Sequence, residues 1–169
     1  INQWVDFKLI IENKKFKQYR NAYNFAKKYF WNKNVKNDNH LPTKYMHAKT
    51  FITNKWAIIQ TANLNKSSFE SNIENYVFIK NNKIKNDLHS LFMKDRNWKN
   101  KREKNWHTNL FICPYDCKAK ILQLINNAQH SIKILQQYIS DKSIIKQLTN
   151  TKASIKILLP DKNTNSEIV

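Results

Sequence analysis

Met46-His47-Ala48-Lys49-Thr50-Phe51-Ile52-Thr53-Asn54, followed by Gln60-Thr61-Ala62-Asn63-Leu64-Asn65 and then Asn72-Ile73-Glu74, is the stretch that decides the fold and the chemistry. Tyr45–Ile52 and Trp56–Thr61 read as successive strands joined by a short Thr53-Asn54-Lys55 turn, and Tyr76–Lys80 as a third. Residues two apart on a strand share a face, so His47 and Lys49 are expected to project together, and the returning strand brings Asn63 to the same end. An ammonium can neutralise the non-bridging oxygens of a phosphate, and an Asn amide can donate to one of them. A neutral imidazole can attack phosphorus and carry a covalent intermediate. Glu74 is then placed to hold the other ring nitrogen and fix the tautomer. Taken singly, these residues have plainer readings: a strand histidine, a surface cation, a turn-forming amide. The signal lies in the combination.

Outward from this segment, short apolar runs alternate with helical patterns, which defines an α/β chain. Phe7–Ile11 reads as a buried strand and Lys17–Trp31 as a helix with Tyr19, Tyr23, Ala26 and Phe30 at helical spacing. Asn86–Met93 reads as a helix opening on an Asn cap. Beyond it come strand Leu110–Cys113, helix Cys117–Ala128, strand Ser131–Gln136, helix Asp141–Thr149 with Asp141 as N-cap, and strand Ile155–Leu159. Val5–Lys14 resembles Ala153–Lys162, two strands each ending in a polar turn, which marks an internal repeat. The boundaries that follow are residues 1–95, a basic linker at 96–107, and residues 108–169.

With these residues in order, the chain resembles the phospholipase D superfamily, whose signature is His-x-Lys-x4-Asp-x6-Gly-Ser-x-Asn with an acidic residue further on. His47 and Lys49 match its start, Asn63 its closing Asn, and Glu74 the downstream acid. Asn54 stands at the motif Asp, with one residue fewer before the next element; alternatively Thr53 takes that place. Gln60 and Thr61 stand where Gly-Ser is usual. The resemblance implies a mixed β-sheet flanked by helices and parts of two similar lobes, with Leu110–Pro160 opening the second. It implies a phosphodiester hydrolase or phosphatidyltransferase working through a phosphohistidine, with His47, Lys49 and Glu74 catalytic and Lys49, Asn63 and Thr61 binding the phosphate. No metal or cofactor is called for.

In such a two-motif site each lobe supplies one His-x-Lys. His40, His89, His107 and His130 all lack a Lys two residues on, so the chain is expected to carry half a site. A second lobe or a second copy of the chain would complete it. The implied substrate is a phosphodiester, a phospholipid before a nucleic acid, and the alternative is a basic nucleic-acid-binding module with a degenerate site.

Composition sets the outer limits. The 169 residues carry 30 Lys+Arg against 12 Asp+Glu, a net charge of +18, which favours polyanionic partners, including an anionic membrane surface. The basic-aromatic run Lys94, Arg96, Trp98, Lys99, Lys101, Arg102, Lys104 and Trp106 is the densest such patch. A hydrophobic content of 41% suffices for a packed core and excludes wholesale disorder. Two cysteines, Cys113 and Cys117, cannot make a disulfide framework, and a lone C-x3-C is a weak metal signal. Localisation is open between the cytoplasm and a membrane periphery. The complete lack of glycine is the oddest feature, with Asn the natural stand-in at turns. A reading frame broken at UGA codons used for glycine would also produce it, in a chain that begins and ends mid-domain.

Overall fold

Leu9–Ile11 and Val35–Asn37 form strands β1 and β2, paired in parallel with Leu9 opposite Val35 and Ile11 opposite Asn37. Parallel strands need a crossover, and helix α1 (Lys17–Tyr29) supplies it, followed by a 3-10 turn at Asn32–Asn34. Lys27 and Lys28 fall in the last turn of α1, where cations suit the helix dipole, and Ala26 is buried. This computed structural model describes residues 8–11, 17–30, 32–38, 46–97 and 110–160. The chain divides into two units, Ile1–Asn109 and Leu110–Val169.

The second sheet of the first unit is antiparallel, in the order β3 (Thr50–Ile52), β4 (Ala57–Gln60), β5 (Tyr76–Ile79). Its register sets Ile52 opposite Ala57 and Ala57 opposite Ile79, with Ala57 and Ile79 both buried. A five-residue helix, α2 (Lys66–Glu70), fills the β4–β5 connection, and α3 (Asn82–Asn97) follows β5. Asn81 caps α3 by accepting from the main-chain N–H groups of Lys83 (2.9 Å) and Ile84 (3.1 Å). The helix therefore starts four residues before the expected Asn86, because an asparagine one turn earlier has the free side chain that a cap needs.

Arg96, the first residue of the stretch read as a basic linker, falls in the last turn of α3. It ends α3 with only 6% of its surface exposed, its guanidinium donating from Nη1 to the Leu9 carbonyl (3.1 Å) and from Nη2 to that of Lys33 (2.8 Å). Lys36 Nζ in turn donates to the Arg96 carbonyl (3.0 Å). A planar guanidinium suits this task because its N–H groups diverge toward two acceptors at once. The remainder of the basic run, from Trp98 to Trp106, lies outside the described residues.

In the second unit, Leu110–Ile112 is buried at both ends but pairs with no strand among the described residues, contrary to the strand expected there. The chain turns at once instead. Tyr115 and Asp116 N–H both donate to the Ile112 carbonyl, Asp116 Oδ1 accepts from Ile112 N–H (2.7 Å), and Cys113 and Cys117 are joined in a disulfide. The two cysteines thus staple one turn.

Helix α4 (Cys117–Asn127) then leads to β6 (Ser131–Leu135), and α5 (Lys142–Asn150) crosses over to β7 (Ser154–Leu158). Asp141 caps α5 as expected, accepting from Ser143 and Ile144 N–H. Strands β6 and β7 have the same sequence, Ser-Ile-Lys-Ile-Leu, and pair in parallel with every residue opposite its own counterpart. Ile125, Leu148 and Ala153 are buried in this unit. The α/β class holds: among the described residues, parallel and antiparallel pairing are distributed over three small sheets.

Candidate active site

The antiparallel register brings the motif residues to one end of the β3–β4–β5 sheet. Gln60 lies opposite Tyr76, and its N–H donates to the Lys49 carbonyl (3.1 Å), so the ladder runs one step beyond β3. Thr61 N–H donates to the Asn75 carbonyl (3.1 Å). Lys49, Thr61 and Glu74 therefore meet where β3 begins, β4 ends and β5 begins.

His47 and Lys49 lie in irregular backbone just ahead of β3, so strand alternation does not set their common face as expected. What links them is the lysine itself. Its Nζ donates to the His47 carbonyl (3.0 Å), and its charge acts on the His47 ring. The His47 pKa is pushed below 6.5, first by partial desolvation and then by the neighbouring ammonium. A neutral imidazole beside a cation is the form able to donate an electron pair.

Glu74 does not hold the His47 ring. Its Oε2 accepts from the Thr61 hydroxyl (2.5 Å) and its Oε1 from Asn72 Nδ2 (3.3 Å). These bonds, Thr61 foremost, keep its carboxyl below the ordinary 4.5, and the Lys49 ammonium adds to the effect. The cause is again register: Asn75 N–H also donates to Thr61 Oγ1 (2.9 Å), which locks Thr61 beside Glu74. The Thr61 hydroxyl is thus committed to two protein partners. Lys49 is the residue whose charge reaches both His47 and Glu74.

The loop after β4 carries Asn63. Ala62 is fully buried, and Gln60 Nε2 folds back onto the Ala62 carbonyl (3.0 Å), so the side chain that replaces the usual glycine lies along its own loop. Asn63 is exposed, with its main-chain N–H bound to Ser68 Oγ (3.2 Å). At the β3–β4 turn, Thr53 Oγ1 accepts from the N–H groups of Lys55 (3.2 Å) and Trp56 (3.0 Å) and donates to the Trp56 carbonyl. Asn54 contributes its main-chain carbonyl, to Lys85 Nζ. The turn is therefore braced by Thr53, the second of the two residues weighed for the motif Asp.

Helix α2, Ser68 and the role of Asn72 as a partner of Glu74 are not part of the sequence reading. The Asn65-x-x-Ser68 spacing was the available signal, since Asn65 Oδ1 accepts from Ser68 N–H (2.9 Å) as an N-cap. Among the described residues no group of three or more His, Cys, Asp or Glu is placed to hold a metal ion.

His47 and Lys49 ahead of β3, Asn63 in the loop after β4 and Glu74 ahead of β5 thus lie on the segments that flank one end of this sheet. The family described as "Cardiolipin synthase, PLD-like domain" matches residues 2–98, which include every one of these side chains. That match spans more than half of the chain, and the chain belongs to this family, within the phospholipase D superfamily of phosphodiesterases and phosphatidyltransferases. No curated protein and no solved structure matches the chain.

Proposed function

We propose that this chain carries one half of a phosphodiester-transfer site in which His47 is the nucleophile. The observation that carries the reading is the lowered His47 pKa beside Lys49, at the sheet end that also holds Asn63 and Glu74. One ring nitrogen of neutral His47 attacks phosphorus, and the bond from phosphorus to the leaving oxygen breaks. Lys49 offsets the charge on the non-bridging oxygens, and the Asn63 amide donates to one of them. The departing alkoxide takes its proton from the histidine of a second His-x-Lys, in a second lobe or a second copy of the chain. That same base then deprotonates water or an acceptor alcohol, which attacks phosphorus and frees His47.

Hydrolysis and phosphatidyl transfer differ only in this acceptor. The family's description supports a phospholipid substrate and transfer to an alcohol. Incubating the intact protein with a phospholipid, quenching under alkaline denaturing conditions and weighing the protein tests the reading. A mass increase of one phosphatidyl group, absent in His47→Ala, is the expected result. An undiminished adduct in His47→Ala overturns it. Steeply salt-dependent DNA binding without lipid turnover would instead favour the nucleic-acid reading, for which the +18 charge speaks.

A further inference from the structure

We infer that Ser68 is a positioning residue of this site, holding the Asn63 loop and the Glu74 carboxylate in one fixed arrangement through its hydroxyl. The inference rests on the function proposed above and adds a residue to it.

Ser68 sits in the five-residue helix α2 with 5% of its surface exposed, one of the few buried polar side chains among the described residues. Its main-chain N–H is already satisfied by the Asn65 side chain, so its hydroxyl is not needed to complete its own helix turn. The oxygen accepts from Asn63 N–H at 3.2 Å. The same side chain acts on the Glu74 carboxylate, helping, after Thr61 and Asn72, to hold its pKa below the ordinary value. One hydroxyl thus ties the main chain of the phosphate-facing amide to the acid eleven positions after it.

Thr61 reaches the same carboxylate from the end of β4. A Thr61–Glu74 hydrogen bond at one side and an Asn63–Ser68 hydrogen bond at the other therefore brace the loop, with Ser68 acting on the Glu74 carboxylate between them. A loop held this way presents the Asn63 amide already ordered, and the ordering entropy is not charged to phosphate binding. A buried serine serving packing alone would gain nothing over alanine, because a hydroxyl costs free energy to bury and repays it only through its hydrogen bonds.

The test compares Ser68→Ala, Ser68→Thr and Ser67→Ala in the full chain by NMR, with inorganic phosphate as the titrant. In Ser68→Ala the Asn63 amide resonance is expected to move, the Glu74 carboxyl to titrate at higher pH, and phosphate affinity to fall about tenfold. Ser68→Thr, which keeps the hydroxyl, restores all three, and Ser67→Ala leaves them at wild type. Wild-type behaviour of Ser68→Ala overturns the inference. So does equal loss in the alanine and threonine variants, which would make the effect one of volume. If the wild type binds no phosphate at Lys49 and Asn63, the proposed function fails, while the Asn63 and Glu74 resonances still decide the role of Ser68.

Discussion

Thr61 Oγ1 gives its proton to Glu74 Oε2 and receives the N–H of Asn75, so one hydroxyl clasps the open end of the β4–β5 ladder. Glu74 owes its low pKa to this bond first. Because the folded state favours the carboxylate, its contribution to stability is complete above pH 4.5 and is lost as the pH falls through the lower folded value. Thr61→Val is expected to raise the Glu74 pKa toward 4.5 and Thr61→Ser to leave it low, as read from carboxyl chemical shifts.

His47 works in the opposite direction. Its neutral form is favoured, so adduct formation is expected to persist at neutral pH and to decline in acid with a midpoint below 6.5. Lys49→Met moves that midpoint up only part of the way, since desolvation outweighs the lysine. A midpoint unchanged by Lys49→Met would show that the ammonium does not act on the ring.

The β3–β4 turn distinguishes Thr53 from Asn54. Thr53→Ala removes the side-chain oxygen that receives two N–H groups and is expected to cost about 1 kcal/mol in urea unfolding. Thr53→Asp keeps an acceptor and most of that stability. Asn54→Ala leaves the carbonyl used by Lys85 in place and stays within about 0.5 kcal/mol of wild type.

Replacing Arg96 strands the carbonyls of Leu9 and Lys33. Arg96→Met is expected to destabilise the first unit by about 1–3 kcal/mol. Arg96→Lys recovers little of this, because one ammonium on a flexible stem cannot reproduce the fork. Hydrogen exchange at β1 and β2 reads the loss where it occurs.

Two carboxylates among the described residues of the second unit are acid-sensitive. Asp141 is held well below 3.8 by Lys118 and then by Ser143, and Asp116 is lowered by Lys120 and then by the Ile112 N–H. Their contributions are complete above pH 3.8 and disappear as the pH falls through their lower folded values. Asp141→Asn keeps the capping oxygen but not the charge. It is expected to flatten the acid limb of the β6 and β7 resonances while leaving α5 formed.

The legible parts of the chain were those where side-chain pattern and backbone partner coincide. Trp56–Thr61, Tyr76–Lys80 and Ser131–Gln136 alternate or run apolar for four residues or more, and each contains a strand. β2 has only Val35 as an apolar residue and exists because β1 pairs with it, which no local pattern records. α2 is too short to show a helical period.

At the candidate site, residue types and order were readable, and partners were not. Glu74 is a carboxylate within reach of several donors, and the β4–β5 register selects Thr61 over the His47 ring. Asparagine also has another use than the one its abundance implied. Asn65 and Asn81 serve as side-chain caps, and Asn65 does so from extended backbone, where a glycine's freedom has no value.

The paired Ser-Ile-Lys-Ile-Leu strands give the second unit a degenerate address. Every ladder position matches like with like, so a β6 from one molecule can take the place of β7 in another without changing a single side-chain neighbour on the strand. Nothing in the strand letters distinguishes self from copy. The choice falls to the α5 crossover, whose covalent reach raises the local concentration of the correct partner. Chain connectivity, not complementarity, is what favours β7 over a second β6 as the partner strand, and cutting the link at α5 would leave β6 an open template for its own sequence.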